Sequence, residues 1–414
     1  MGNIAERKGI MILGAGIMQV PLIRKANDMG LFVIASDKNP GAPGLKLAGH
    51  PLILDIKDIK GHVAFALANR ERFNISGVVA GADCAVTAAF VSEALGLPGI
   101  PVDVAERSNN KWLMKQRWLR DNVATPWAEE VSSLTEARKA LRKTGLPCMV
   151  KAIDNAASRG SRRIDFEHEL EEALIDAKNH STTKTALIEE YVEGVEQSVE
   201  MMVNDGVHHR FGIVDRHFGF MPFPIEVGHT NPSGLDLATQ ERIYRLVIGA
   251  AESLGIGFGP YKADTILTKK GPMVLELPAR MSGGFHSQYT TPLATGLEPQ
   301  KAAIALAVGM EAPEEAFTES RSGVTVCKAV FPEPGMVKAV SNIDRARMIR
   351  GVNEVFVLVR PGDVIPRYRN CADRVCYIIA SGQCRAEAET IWRKAASMIK
   401  IETQPVLEEY ETAL

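Results

Sequence analysis

Two acidic and two basic side chains occur close together in residues 261–285 of the 414-residue chain. Lys262 and Asp264 lie in a run that alternates as a strand does. Glu276 lies in a second apolar run after a turn, and Arg280 follows it. Side chains two residues apart share one face of a strand, so a hairpin would direct these groups into one pocket. Paired carboxylates suit Mg²⁺, and Lys and Arg suit a phosphoryl group. The alternative is a salt-bridged surface hairpin.

The first hundred residues have the rhythm of a parallel βαβ sheet. The predicted strands lie at both ends of 9–37, at 52–55 and at 77–83. Gly14 and Gly16 form part of a dinucleotide-binding fingerprint, but Gln19 or its neighbour holds the place of the third glycine. This pattern is a weak signal for a dinucleotide. We interpret Asp83 as the N-cap of the next helix rather than as a catalytic residue.

A new helix begins at Lys111 after a break in the periodicity. Further along, a strand lysine and a small-residue loop predict a binding site for phosphates. Lys151 lies on an apolar strand, and the loop behind it contains Ser158, Arg159 and Gly160. Backbone N–H groups of such a loop can close over phosphates while a lysine supplies a point charge. The alternatives are a solvated helix lysine and an ordinary flexible hairpin.

A run of glutamates predicts the second part of a nucleotide-binding site. Glu189 and Glu190 end an apolar strand, and Val192 and Glu196 follow. A hinge of this kind can read an adenine edge through its backbone, while a carboxylate accepts from ribose hydroxyls. The alternative is a surface strand with solvated glutamates.

A long loop is predicted over residues 217–236, and loops of this length in compact domains tend to be functional. His229 within it is a candidate catalytic residue. The alternative is a hydrogen-bonded structural histidine.

The composition argues against several classes of protein. A length of 414 residues with 46% hydrophobic content predicts two to four domains. A net charge of -2 without a basic tract argues against nucleic-acid binding. Six scattered cysteines fit a reduced cytoplasmic protein better than a disulfide framework. We find no apolar run long enough to span a bilayer, so we expect no membrane association.

The pattern K-x-D, turn, G-P-x-V-x-E-x-x-x-R-x-S-G-G resembles the metal-binding hairpin of the ATP-grasp superfamily, especially its carboxylate-amine ligases such as the L-amino-acid ligases. The resemblance implies that Asp264 and Glu276 bind Mg²⁺, with Mn²⁺ as an alternative. It also implies that Lys262 and Arg280 steady the phosphoryl group and the acyl phosphate. Many members have Asn two residues after the Glu, where this chain has Pro278.

The resemblance covers residues 9 to about 401 and also assigns the nucleotide grip. It implies a lysine at the adenine edge and α-phosphate, a lid over the phosphates, an adenine hinge and a ribose carboxylate. The implied ATP-binding residues are Lys111, Lys151, Ser158, Arg159, Gly160, Glu189, Glu190, Val192 and Glu196.

The expected fold combines α/β and α+β parts. It is an ATP-grasp fold with a Rossmann-like domain at 1–106, a two-lobed ATP-binding domain at 107–320 with its lid lobe at about 125–192, and a small α+β subdomain at 321–414. The expected activity is an ATP-dependent, ADP-forming ligation of a small-molecule carboxylate to an amine, by a homodimer. The alternatives are a carboxyphosphate-forming enzyme that uses bicarbonate and a catalytically silent ATP-binding regulator.

Overall fold

A computed structural model describes residues 7–406 of the chain and divides them into two compact units. The first unit consists of the described residues up to Thr125 together with Glu196–Ile213 and Gly234–Arg321. The second unit consists of Pro126–Val195, Val214–Ser233 and the described residues from Ser322 onward. The predicted boundaries after residues 106 and 320 stay predictions.

The strands are, in chain order, β1 (Gly9–Leu13), β2 (Phe32–Asp37), β3 (His50–Ile53), β4 (Ile75–Ala80), β5 (Ala128–Val131), β6 (Cys148–Ala152), β7 (Ser161–Ile164), β8 (Ala186–Glu190), β9 (Val195–Asn204), β10 (Val207–Gly219), β11 (Ile225–Asn231), β12 (Gly259–Thr268), β13 (Gly271–Glu276), β14 (Val324–Val330), β15 (Gly335–Ser341), β16 (Val352–Val357), β17 (Val364–Ile365), β18 (Cys376–Gly382) and β19 (Lys400–Gln404).

The α-helices are α1 (Val20–Asp28), α2 (Ile59–Asn69), α3 (Ala85–Leu95), α4 (Val102–Asn109), α5 (Lys111–Arg120), α6 (Leu134–Thr144), α7 (Leu170–Asn179), α8 (Leu237–Leu254), α9 (Thr291–Thr295), α10 (Pro299–Ala307), α11 (Ile343–Arg347) and α12 (Arg385–Met398). A π-helical turn covers His286–Thr290. No helix in the described part of the chain combines the length and the apolar character that a membrane span requires.

The first unit begins with the predicted parallel sheet, in the order β3-β2-β1-β4. Every residue of β1 is buried, as expected for a strand covered on both faces. Gly14 has φ +104° in the turn after β1, a conformation that favours glycine. Gln19 stands where a dinucleotide fingerprint has its third glycine, and its side-chain amide donates to the carbonyl of Gly81 at 2.6 Å.

The first unit also contains β13, β12, β9 and the first part of β10, in that order of pairing. Helices α5 and α8 pack on these strands because their apolar faces are buried in one core. Trp118 of α5, Val247 of α8 and Tyr261 of β12 are each fully buried in it. This core holds the hairpin that carries the acidic and basic cluster.

The second unit contains an antiparallel sheet in the order β5-β8-β6-β7, covered by α6 and α7. Its other strands pair in the order β10-β11-β14-β18-β16 and β17-β15-β19, and α12 packs on β18. The predicted long loop over the whole of 217–236 is wrong, because half of these residues lie in strands. β10 continues to Gly219 and β11 begins at Ile225, so that apolar residues of both strands enter the sheet.

Candidate active site

The hairpin β12–β13 places two carboxylates directly opposite each other. Asp264 pairs with Glu276 in the strand register, and the register shifts between Asp264 and Thr265. Gly271 opens β13 with φ +125°, which favours glycine, so the tight turn can form. A register shift like the one between Asp264 and Thr265 often changes the direction of side chains beside active sites.

Two lysines approach the paired carboxylates. The ammonium nitrogen of Lys262 lies 2.6 Å from Oδ2 of Asp264 and 3.6 Å from Oε1 of Glu276. The ammonium nitrogen of Lys111 lies 3.5 Å from Oε2 of Glu276. Lys111 is the first residue of α5, which begins there because the side chain of Asn110 accepts from two backbone N–H groups of the first turn. The structure therefore brings together four of the predicted site residues.

Strand β9 contributes a hydroxyl that the sequence reasoning missed. The hydroxyl of Ser198 donates to Oδ1 of Asp264 at 3.0 Å. The predicted ribose ligand Glu196 lies on the same strand two residues earlier and therefore shares its face. The sequence signal for Ser198 was its position two residues after Glu196, on the same face of the strand.

The carbonyl of Pro278 holds the backbone of both predicted catalytic cations. It accepts from the N–H of Lys262 at 3.2 Å and from the N–H of Arg280 at 2.9 Å. Proline lacks a side-chain oxygen, but its carbonyl holds the backbone N–H groups of these two residues close together.

Asp83 is the partner of Arg280 and not a helix cap, so that interpretation was wrong. Nε and Nη2 of Arg280 each lie 2.6 Å from Oδ1 of Asp83. Helix α3 begins at Ala85 after Cys84, without a side-chain capping bond. Although burial opposes ionisation of Asp83, the Arg280 guanidinium holds the pKa of this carboxyl below its usual value. The sequence spacing of Asp83 and Arg280 gave no signal for this contact.

The second unit carries the predicted adenine-side residues. Lys151 of β6 forms an ion pair with Glu189 of β8, and both side chains are largely buried. These two strands pair antiparallel, which brings the side chains together. Glu190 accepts from the N–H of Trp127 at 3.3 Å, and Val192 follows between β8 and β9.

The predicted lid loop connects β6 and β7 in the second unit. Ala157 and Ser158 have φ +59° and +58°, an unusual conformation for residues other than glycine. Gly160 has φ +64°, and a Cβ atom there would lie 2.8 Å from Cβ of His180. The loop therefore requires glycine at 160. The side chain of Arg159 donates to Oδ1 of Asn155 at 2.9 Å.

His229 lies on strand β11 of the second unit and is 2% exposed. Its Nδ1 lies 4.0 Å from Oε1 of Glu226. Arg216 donates to the other oxygen of Glu226 at 2.9 Å. Because His229 is on a strand and not on a loop, its ring has a position fixed by the sheet.

Two protein families match parts of the chain. Residues 144–288 match the ATP-grasp domain family. The chain carries an ATP-grasp domain. Residues 329–404 match the family described as L-amino acid ligase C-terminal domain 2. The predicted family and fold class are confirmed, as is the assignment to the ATP-grasp ligases, a family that uses ATP and Mg²⁺.

Relatives of this ATP-grasp chain include protein y4rH of Sinorhizobium fredii, which is 28% identical over 338 residues, or 80% of this chain and 69% of that protein. D-alanine–D-alanine ligase of Bordetella avium is 26% identical over 305 residues, or 71% of this chain and 86% of that enzyme. The crystal structure of L-amino acid ligase from Bacillus licheniformis superposes with a TM-score of 0.83 at 23% identity, covering 96% of this chain and 99% of that one. This last likeness is one of fold.

Proposed function

We propose that the chain is an ATP-dependent, ADP-forming ligase that activates a carboxylate as an acyl phosphate and joins it to an amine. The observation that carries the proposal is the pairing of Asp264 with Glu276 across the hairpin, with Lys262 close to both. Lys262 and Asp264 are only 8% and 4% exposed, unlike the charges of a surface hairpin. Burying such a cluster is costly, and clusters of this kind concentrate at functional sites.

Asp264 and Glu276 would hold Mg²⁺. Carboxylate oxygens are the hard ligands that this ion prefers, and the Lys262 ammonium beside both carboxylates indicates that the pair accommodates a positive charge. When bound, Mg²⁺ would screen the negative charge of the ATP phosphates. Because Pro278 offers no side-chain oxygen, we propose two carboxylate ligands from this hairpin.

The first step would transfer the γ-phosphoryl group of ATP to the substrate carboxylate. A carboxylate oxygen attacks the γ-phosphorus, the bond from this phosphorus to ADP breaks, and an acyl phosphate forms. Arg280 and Lys262 would stabilise the charge on the phosphoryl oxygens. The carbonyl of Pro278 holds the backbone N–H groups of Arg280 and Lys262 in place, so little reorganisation is needed during the step.

The second step would join the acyl group to the amine. The amine nitrogen attacks the acyl carbon, phosphate leaves, and the nitrogen loses a proton, which gives an amide. We assign His229 to positioning a substrate carboxylate or amine, because its ring is buried and held beside Glu226. The match of residues 329–404 to the L-amino acid ligase domain supports amino acids as the substrate class.

Residues of the second unit would hold the nucleotide. Lys151 is assigned to the adenine edge and α-phosphate, and Glu189 fixes its position through their ion pair. Backbone groups from Glu190 to Val192 would read the adenine, and Glu196 on β9 would accept from the ribose. The loop with Ser158, Arg159 and Gly160 would cover the phosphates.

The test is ADP and phosphate release from MgATP during a screen of single amino acids, pairs of amino acids, other carboxylates and bicarbonate, with mass spectrometry of every active mixture. We expect turnover that needs an acid and an amine, with a product mass equal to their sum less water. Turnover with bicarbonate alone would overturn the proposal in favour of carboxyphosphate chemistry. Tight ATP binding without turnover in every mixture would favour a regulatory protein.

A further inference from the structure

A buried carboxylate on β9 has no place in the proposed chemistry. Glu200 is 4% exposed. It lies on the same face of the strand as Ser198, since two residues separate them, and Ser198 contacts the candidate metal ligand Asp264. Glu200 therefore belongs to the face of β9 that supports the site. Hydrophobic neighbours such as Met201 face the other way, into the core.

Glu200 holds the chain that follows Arg280. Its Oε1 accepts from the N–H of Ser282 at 2.9 Å and from the hydroxyl of Ser287. The carbonyl of Ser282 is held as well, because it accepts from the side-chain amide of Gln288 at 3.2 Å. Both backbone polar groups of Ser282 thus have side-chain partners, two residues beyond Arg280.

The segment held in this way is strained. Phe285 has φ +72°, a backbone conformation that is strained for a bulky residue. The π-helical turn at His286–Thr290 is a rare form that often accompanies functional sites. A backbone in such a conformation persists only where surrounding contacts fix it. Glu200 supplies two of these contacts.

Burial of the Glu200 carboxyl also has a cost in free energy. Burial raises the pKa of its carboxyl, although the hydrogen bonds from Ser287 and from the N–H of Ser282 favour the ionised form. Its second oxygen, Oε2, is buried without a hydrogen-bond partner among the described residues. An unsatisfied buried acceptor destabilises the fold, and more so when it is charged. An apolar residue at this position would avoid that cost, so stability alone does not explain the carboxylate.

We propose that Glu200 is a positioning residue that fixes Arg280 for phosphoryl transfer through the backbone of Ser282. The inference rests on the proposed function, because that function gives Arg280 its role. Arg280 reaches Asp83 through its guanidinium and Pro278 through its N–H, and Glu200 anchors the chain on the far side of it. Without this anchor the guanidinium would keep its charge but lose its placement.

The decisive comparison is between Glu200→Gln and Glu200→Leu. Glutamine keeps an Oε1 acceptor of the same reach, so we expect kcat within about threefold of the wild type. Leucine keeps the volume but removes the acceptor, and we expect kcat to fall about 10- to 100-fold, since a misplacement near 1 Å can cost that much. The dissociation constant of MgATP should stay within twofold. Glu241→Gln, an exposed α8 carboxylate paired with Arg210, is the control and should change neither value.

A second measurement separates positioning from a structural role. If Glu200 acts through Arg280, the Leu substitution should lower kcat far less in an Arg280→Lys background than alone. Amide exchange at Ser282 should be faster in Glu200→Leu. A folded Glu200→Leu variant with wild-type kcat, or effects that add fully in the double variant, would overturn the inference. If Glu200→Leu does not fold, Ser287→Ala removes the second donor to Oε1 of Glu200 and should lower kcat severalfold. Absence of turnover in the wild type would instead overturn the proposed function.

Discussion

Asp264 and Glu276 stand opposite each other on β12 and β13, and the ammonium of Lys262 lies 2.6 Å from the first carboxylate and 3.6 Å from the second. The ammonium of Lys262 therefore lies close to both carboxylates. Carboxylates this close repel each other unless positive charge lies beside them. Replacement of Lys262 by a neutral residue should for this reason increase the dependence of ATP binding on Mg²⁺.

Removal of either carboxylate should abolish ATP turnover. We expect Glu276→Ala and Asp264→Asn to lower kcat for ADP release at least 100-fold, because the metal would lose one of its two protein ligands. Excess Mg²⁺ should restore part of the loss in Asp264→Asn. The control is Glu241→Gln, which removes a carboxylate of the same unit outside the site. An intact turnover in Glu276→Ala would show that the metal assignment is wrong.

The contact between Asp83 and Arg280 should appear in the pH dependence of stability. The pKa of Asp83 in the folded chain is lowered from 3.8, so the contact stabilises the fold above this pH and is lost as the pH falls below it. The difference in Tm between the wild type and Asp83→Asn should be constant near neutrality and shrink below about pH 4. We also expect a lower kcat in Asp83→Asn at pH 7. A Tm difference that grows in acid would contradict the ion pair.

Variants of Lys151 and Glu189 should separate the effect of Lys151 on ATP binding from the effect of the ion pair on stability. Removal of one partner of a buried ion pair leaves the other uncompensated, so Lys151→Met and Glu189→Leu should each destabilise the fold by about 3 kcal/mol. The double variant should regain much of this stability and still bind ATP at least tenfold more weakly, as isothermal calorimetry can measure. Tight ATP binding by the double variant would remove Lys151 from the nucleotide site.

The hydroxyl of Ser158 should restrain the lid loop. Ser158 donates to the carbonyl of Pro224 at 2.8 Å and lies 3.7 Å from the sulfur of Cys371, whose N–H donates to Ala157. We expect Ser158→Ala to speed both ADP release and tryptic cleavage after Arg159. Ala157→Gly relieves the left-handed backbone and keeps the hydroxyl, so it should not speed cleavage. Equal cleavage of Ser158→Ala and the wild type would show that these contacts do not restrain the loop.

The hairpin cluster was predictable from the sequence because it is local. Period-2 alternation and a short turn predict a hairpin that carries Lys262, Asp264 and Glu276. The register shift between Asp264 and Thr265, which places Asp264 opposite Glu276, does not follow from the alternation. The helix start at Lys111 follows equally from Asn110, a residue that caps helices. Its contact with Glu276 was not predicted.

Contacts between distant segments were not predictable in the same way. Asp83 sits before a helix, where an N-cap is the usual interpretation, and only the fold brings it to Arg280. Glu200 looked like one residue of an apolar strand. The strand at His229 was missed because glycine and proline in residues 217–236 suggested a loop, whereas pairing with β10 and β14 makes β11.

The most direct test of the proposed ligase follows oxygen from the substrate carboxylate. In a mixture that releases ADP, the carboxylate is labelled with ¹⁸O and the released phosphate is analysed by mass spectrometry. An acyl-phosphate route predicts one ¹⁸O atom in each phosphate, because the attacking carboxylate oxygen leaves with phosphorus. Unlabelled phosphate alongside an amide product would contradict the route, and label that enters phosphate only from bicarbonate would assign the chain to carboxyphosphate chemistry.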